Sequence, residues 1–306
     1  MSTFLNSGWI TSRILLGYFL LSSNIAVEKW LLDTYSPYEI NFITAGLFMI
    51  LTAFHELLNQ GSLQRIKPIS WKILLPISLY TVGAWHCFLS ALEGLSVFEF
   101  GTMSLLFPVV MTALSILVLR ENPTIWILPA IGFGIAGGWL MMLADWQGLS
   151  SSHFHAYMLG GLIFSSLRWI TIKYAGENVQ TSAMIFWEPV LVLLAMLFFI
   201  DLAYLWNRLT PMLFISAVLL FFSRQCLVRS YQDSNTSATS ISTLIYTKLG
   251  WTLLFGYIFW GSLPTPIEWL GVILIIISSL LIVFRANPSS WFRSMDQSNH
   301  ILRKLL

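Results

Sequence analysis

Gly17-Tyr18-Phe19-Leu20-Leu21-Ser22-Ser23 returns in the second half of the chain as Gly160-Gly161-Leu162-Ile163-Phe164-Ser165-Ser166. Two further pairings extend the match: Cys87 against Cys226, and Leu105-Leu106-Phe107-Pro108 against Leu244-Ile245-Tyr246-Thr247. Gly, Ser and Leu recur in any membrane sequence, so a repeat of this kind counts only where independent patterns agree with it.

The surrounding composition is the first such pattern. Of 306 residues, 57% are hydrophobic and 10% charged, with a mean hydropathy of +0.75. A soluble domain carries about 25% charged residues, so most of this surface faces lipid or other helices. Apolar runs separated by polar or turn-rich breaks predict spans near residues 9–28, 37–57, 73–93, 98–119, 124–144, 156–175, 182–202, 211–230, 237–260 and 266–284, each of roughly the 20 residues a bilayer requires. The two copies of the glycine-serine motif fall in the first and sixth. Five spans per half is an odd number, so the second half enters the bilayer upside down. The expected fold is an all-α membrane protein of ten transmembrane helices in two inverted five-helix repeats. Residues 1–150 form the first repeat and 151–286 the second, with 287–306 as a cytoplasmic tail.

Basic residues test the count independently, because they accumulate in short cytoplasmic loops. One side receives 11 of the 16 Lys and Arg, among them Arg13, Arg65, Lys67, Lys72, Arg120, Lys173 and Arg229; the other receives Lys29 and Arg208. An odd number of spans would scramble this asymmetry. Both termini are therefore expected in the cytoplasm, in a multi-pass protein of the inner (cytoplasmic) membrane. The apolar stretch from Trp9 to Ala26 is read as a retained first helix, since no basic region and small-residue cleavage site accompany it. The tail, with Trp291, Phe292, Ile301 and Leu302 among bases, either lies along the inner surface or is disordered. A net charge of +2 argues against a nucleic-acid partner. Cys87 and Cys226 fall inside spans, where a thiol serves as a small apolar side chain.

Ser96-Val-Phe-Glu-Phe-Gly-Thr-Met-Ser-Leu-Leu-Phe-Pro-Val-Val110, closing with Leu119-Arg-Glu-Asn-Pro-Thr124, resembles the fourth span of the drug/metabolite transporter superfamily, EamA type. The pattern there is small residues, an apolar run, Pro-Val and an acidic residue at the cytoplasmic end, here Glu121. Span 9 departs from it: Thr247-Lys248 stands where Pro-Val is expected, and Gly261-Ser262-Leu263 replaces the acidic end. The resemblance implies a secondary carrier with its cavity between the halves, for amino acids, nucleosides, sugar conjugates or drugs. Some carriers of this superfamily move S-adenosylmethionine, and the short-looped layout is similar to theirs.

An ionised side chain at mid-membrane costs roughly 2.5–3.5 kcal/mol on insertion scales and normally faces a bundle interior or a wet cavity. Arg168, Glu188, Arg224 and Lys248 qualify, all in the second half. At about 1.5 Å per residue they lie roughly 8–16 Å from the cytoplasmic ends of their spans, so Glu188 is expected to pair with one or two of the bases and leave an excess of positive charge. That excess either receives a carboxylate or phosphate, which the planar fork of arginine grips well, or belongs to an ion network holding spans 6, 7 and 8 together.

His86 is near the repeat equivalent of Gln225, which places it either on the same chamber or in ordinary packing. Trp85, Trp169, Trp187 and Tyr246 neighbour the embedded polar positions, where they either stack on a planar substrate or pack between helices. Pro108 and Pro189 each free a carbonyl and bend a helix, as a gating element or as a fixed kink. Gly134 and Gly138 offer a flat stripe for close helix contact, as scaffold or dimer surface. His153 and His155 are expected at the interface. No metal-ligand spacing, nucleotide loop or catalytic triad is visible, so no cofactor or metal is expected. The expected partners are a small-molecule substrate and membrane lipids, with the chain a monomer or homodimer. A carrier is the leading reading, moving an amino acid or other zwitterionic or anionic metabolite, or a nucleoside-type metabolite. An intramembrane enzyme and a non-transporting assembly subunit are the other classes.

Overall fold

The structure, a computed structural model, describes residues 2–60, 64, 67, 70–119, 127–144, 152–175, 181–202, 205, 208–232 and 244–285. The predicted tail and Glu121 lie outside them. Among the described residues every regular element is helical: Ser2–Leu31 (span 1), Pro37–Gln60 (2), Trp71–Gly94 (3), Val97–Ser104 with Phe107–Leu119 (4), Ile127–Ala144 (5), Ser152–Ala175 (6), Thr181–Met196 with a 3-10 turn Leu197–Phe199 (7), Pro211–Gln232 (8), Thr247–Trp260 (9) and Pro266–Arg285 (10). By length and composition, spans 1, 2, 3, 4 and 7 are apolar enough to cross a bilayer, and spans 5, 8 and 10 hold shorter apolar helices. The two left outside that set, spans 6 and 9, carry Arg168 and Lys248.

The helices pack across the halves rather than within them. Span 3 lies along span 6 and touches span 7, while span 8 lies along span 1 and touches span 2. Span 1 also meets span 9, and span 6 meets both pieces of span 4; spans 2 and 7, 4 and 9, and 5 and 10 pair with their own counterparts. Exchanging the halves maps this set of contacts onto itself, as an in-plane pseudo-twofold requires. The repeat motif sits on those contacts. A Cβ on Gly17 would lie 3.2 Å from Cβ of Cys226 and 2.9 Å from Leu227, and one on Gly160 would lie 3.4 Å from Sγ of Cys87. On Gly161 it would reach Phe88 at 2.5 Å. Glycine is required at Gly17 and Gly161 because a neighbouring helix occupies the space, and the two aligned cysteines are the matching small partners.

Spans 5 and 10 approach most closely at Gly137 and Gly271, where a Cβ on Gly137 would meet the Gly271 carbonyl at 2.8 Å. Positions Gly134 and Gly138 face Ser278, Val109 and Leu106 of the same chain. The predicted stripe is thus used inside the chain, with Gly137 as its tightest point.

Span 4 breaks at Leu105-Leu106. Pro108 has no N–H to give the Ser104 carbonyl, and the ladder tightens first: Leu105 N–H bonds the Thr102 carbonyl (2.9 Å) and Leu106 N–H the Met103 carbonyl (3.0 Å). The Leu105 carbonyl is taken instead by the Ser279 hydroxyl at 3.0 Å. Span 9 has no proline, yet its helix begins at Thr247 after a turn at Ile245-Tyr246. Here the Thr247 hydroxyl donates to the Leu244 carbonyl at 2.7 Å, and Lys248 and Leu249 bond three residues back rather than four. Leu244, just before the turn, is also helical, so the span is interrupted here as span 4 is; the predicted start near 237 lies outside the described residues. Gly261 closes span 9 in the left-handed conformation (φ 65°), its N–H on the Tyr257 carbonyl at 3.0 Å. That is the physical role of the glycine found in place of an acidic end.

Candidate functional site

Arg168 and Glu188 meet between spans 6 and 7. Nε of Arg168 donates to Oε1 of Glu188 at 3.0 Å and Nη2 to Oε2 at 2.9 Å, with both residues 4% exposed. This is the two-pronged geometry of the strongest side-chain ion pairs. The Arg168 guanidinium also lies over the Trp169 ring, 5.0 Å from its centroid. Each partner stands on a helix held by the pairing of span 3 with spans 6 and 7. Pro189 follows Glu188 inside span 7 and is buried.

Arg224 of span 8 is within electrostatic reach of both members of the pair. Both carboxylate oxygens of Glu188 are already engaged by Arg168, and among the described residues Arg224 has no hydrogen-bonding partner. Arg224 is partly exposed, whereas Arg168 and Glu188 are buried.

Lys248 does not join this group. Its Nζ donates to Oγ of Ser104 at 2.9 Å, and that hydroxyl donates in turn to the Gly101 carbonyl at 2.6 Å. The ammonium lies 5.6 Å from the centroid of the Phe100 ring, and Lys248 is 7% exposed. Its acid is Glu28 of span 1, which acts on it electrostatically and is hydrogen-bonded to the Asn24 side chain. Asn24 Oδ1 accepts from the Ser216 hydroxyl at 2.9 Å, which leaves the Asn24 amide nitrogen to donate to Glu28. The Ser216–Asn24 bond links span 8 to span 1, and Glu28 stands one turn further along span 1, within electrostatic reach of Lys248. At that crossing a Cβ on Gly101 would overlap the Thr252 hydroxyl, so glycine there lets the two helices touch.

The four embedded charges therefore form two centres: Arg168, Glu188 and Arg224 in one, Lys248 with Glu28 in the other. Glu28 revises the expected charge excess, since three bases now stand against two acids. The sequence reading passed over it because Glu28 is the last residue of the predicted first span, 9–28, where a charge reads as a helix end, whereas the helix runs on to Leu31. Asn24 and Glu28, four apart on one helical face, were the signal that was there to find.

The other candidates divide. Tyr246 sits in the break of span 9, two residues before Lys248, with its hydroxyl beside Ser279, and Pro108 is the second residue of the second piece of span 4. His86 is not brought to Arg224. It stacks on Tyr38 at 4.7 Å and edge-on to Tyr157 at 6.2 Å, in an aromatic group that includes the exposed Phe199. The residue that span 3 sends inward beside span 8 is Trp85, packed with Phe48, Leu220 and Phe221. Trp187 packs edge-on against Trp71 at 4.8 Å. His155, expected at the interface, is buried.

The sequence model of the EamA-like transporter family matches residues 9–143 and 154–284, one match per half. No curated protein matches the chain. Among 27 matching chains of known structure, one crystal structure of a protein superposes with a TM-score of 0.60 at 14% identity, covering 90% of this chain and 98% of the other. At that identity the likeness speaks for the fold alone.

Proposed function

The chain belongs to the EamA-like transporter family, a family of multi-pass membrane transporters, and on that premise we propose that it is a secondary carrier of a small zwitterionic or anionic organic metabolite, such as an amino acid. It works by alternating access across the inner membrane, with both termini in the cytoplasm and without enzymatic chemistry. The observation that carries this reading is Arg224: a partly exposed guanidinium on a membrane-spanning helix, within electrostatic reach of an acid whose oxygens are both taken. An arginine held in that state suits a carboxylate or phosphate supplied from outside the protein. The family match supports the transport class, and the charge pattern supports the ligand class.

Purified protein reconstituted into liposomes tests it. Uptake of a radiolabelled zwitterionic or anionic metabolite above that of empty liposomes is expected, and loss of that uptake in Arg224→Leu at unchanged insertion. Equal uptake with and without Arg224 would remove the ligand-class assignment; no carrier-dependent flux of any metabolite in such a panel would remove the transport reading. For orientation, a cysteine placed at Gln60 is expected to react with an impermeant maleimide only from the cytoplasmic side.

A further inference from the structure

The crossing of spans 4 and 9 surrounds the ammonium of Lys248 with groups that suit a primary ammonium. Ser104 offers a hydroxyl oxygen polarised by its own bond to the Gly101 carbonyl, Phe100 offers a ring face, and Glu28 of span 1 acts on the ammonium electrostatically. The first piece of span 4, Val97–Ser104, ends here, so its negative dipole end also faces the cation. Half-helix ends of this kind hold cations in carriers built on broken helices. The lysine arrives on the opposing broken helix, one residue after its start at Thr247. Among the described residues it makes no ion pair within 4 Å, because Glu28 is held by Asn24 instead.

We propose that Lys248 is a tethered stand-in for the ammonium group of the transported molecule. In the empty carrier it neutralises Glu28 and the end of the first span-4 piece. When a zwitterion enters, its ammonium takes the place between Ser104, Phe100 and Glu28, and the displaced Lys248 turns its own charge to the ligand's carboxylate. The site is never left as a bare acid in the membrane, and only a molecule carrying both charges replaces the lysine at no net electrostatic cost. This rests on the carrier reading above and narrows its substrate to molecules bearing a primary ammonium and an acid group.

Thermal unfolding of the full-length protein in detergent tests the site with ethylammonium chloride as probe and sodium chloride at equal ionic strength as control. Lys248→Ala is expected to gain a saturable rise in Tm with ethylammonium, half-maximal at least about tenfold below any response of the wild type, because the tethered lysine competes at an effective concentration in the millimolar range or above. Adding Ser104→Val to Lys248→Ala is expected to abolish the rise. No saturable rise, an equal response in the wild type, or a rise indifferent to Ser104→Val overturns the proposal. If Lys248→Ala does not fold, acylation of Lys248 by acetic anhydride in Ser104→Ala, followed by mass spectrometry, decides: several-fold faster modification than in the wild type is expected, and an unchanged rate overturns it. A missing ethylammonium response with wild-type metabolite uptake intact removes the stand-in and keeps the carrier. Absent uptake with an intact response removes the carrier, and the stand-in for a transported molecule with it, and leaves only an ammonium site.

Discussion

Spans 4 and 9 break within one residue of each other in the repeat alignment, and they break for different chemical reasons. In span 4 the interruption follows from a proline that has no hydrogen to give; in span 9 it follows from the Thr247 hydroxyl taking the carbonyl of Leu244. At the next position the first half places Val109, buried against Gly134, and the second half places Lys248 beside Ser104. The architecture keeps the interruption in both copies and varies what stands behind it. The cation behind the interruption therefore belongs to the second half alone, while the acid that acts on it, Glu28, comes from the first.

The comparison breaks first if the lysine is made into its counterpart. Lys248→Val is expected to lower metabolite uptake by about 100-fold or more at equal insertion, since Glu28 and the span-4 end then lack their cation; flux into proteoliposomes measures this. Next in size is the other charged centre. Arg168→Leu leaves Glu188 buried without its two-pronged partner, at an expected cost of up to about 3–5 kcal/mol. Arg168→Leu combined with Glu188→Leu is expected to recover most of that loss, as read by the Tm of the purified variants. If the double variant stays as unstable as the single one, the pair is more than a self-contained contact. Away from both breaks, Gly137→Ala puts a methyl where the Gly271 carbonyl is 2.8 Å away, and the expected loss is about 1–3 kcal/mol. The smallest effect addresses the breaks themselves. Thr247→Val is expected to cost about 1 kcal/mol, the net value of one hydrogen bond, whereas Thr247→Pro, which copies span 4, is expected to leave uptake within about twofold of the wild type. A large loss in Thr247→Pro would mean that the two interruptions are not interchangeable.

The repeat was readable because it is written in small residues at fixed contacts. Gly17, Gly160, Cys87 and Cys226 align in sequence for the same reason that they meet in space: each pair lies where two helices run too close for a larger side chain. The interruption of span 4 was signalled by Pro108. That of span 9 was not, because a threonine is compatible with an unbroken membrane helix and only its hydrogen bond shows otherwise. Arg168, Glu188, Arg224 and Lys248 stood out individually by the cost of burying charge, but their grouping did not. Depth along a helix axis says nothing about which way around the bundle a side chain points, and so Lys248 was grouped with Glu188 although its acid is Glu28. His86 was misplaced by the same gap: the repeat register brings it level with Gln225, while its azimuth sends it outward to Tyr38 and Tyr157.

The mirrored clasp of span 1 by span 8 and of span 6 by span 3 has a consequence for how the polypeptide comes into being. A ribosome that has released only the first five helices has made a half whose principal packing surfaces all await strands of polypeptide not yet synthesised. Such a half matures by interlocking rather than by consolidating alone. Severing the backbone between residues 144 and 152 would then yield two pieces, each unstable by itself and stable when co-expressed.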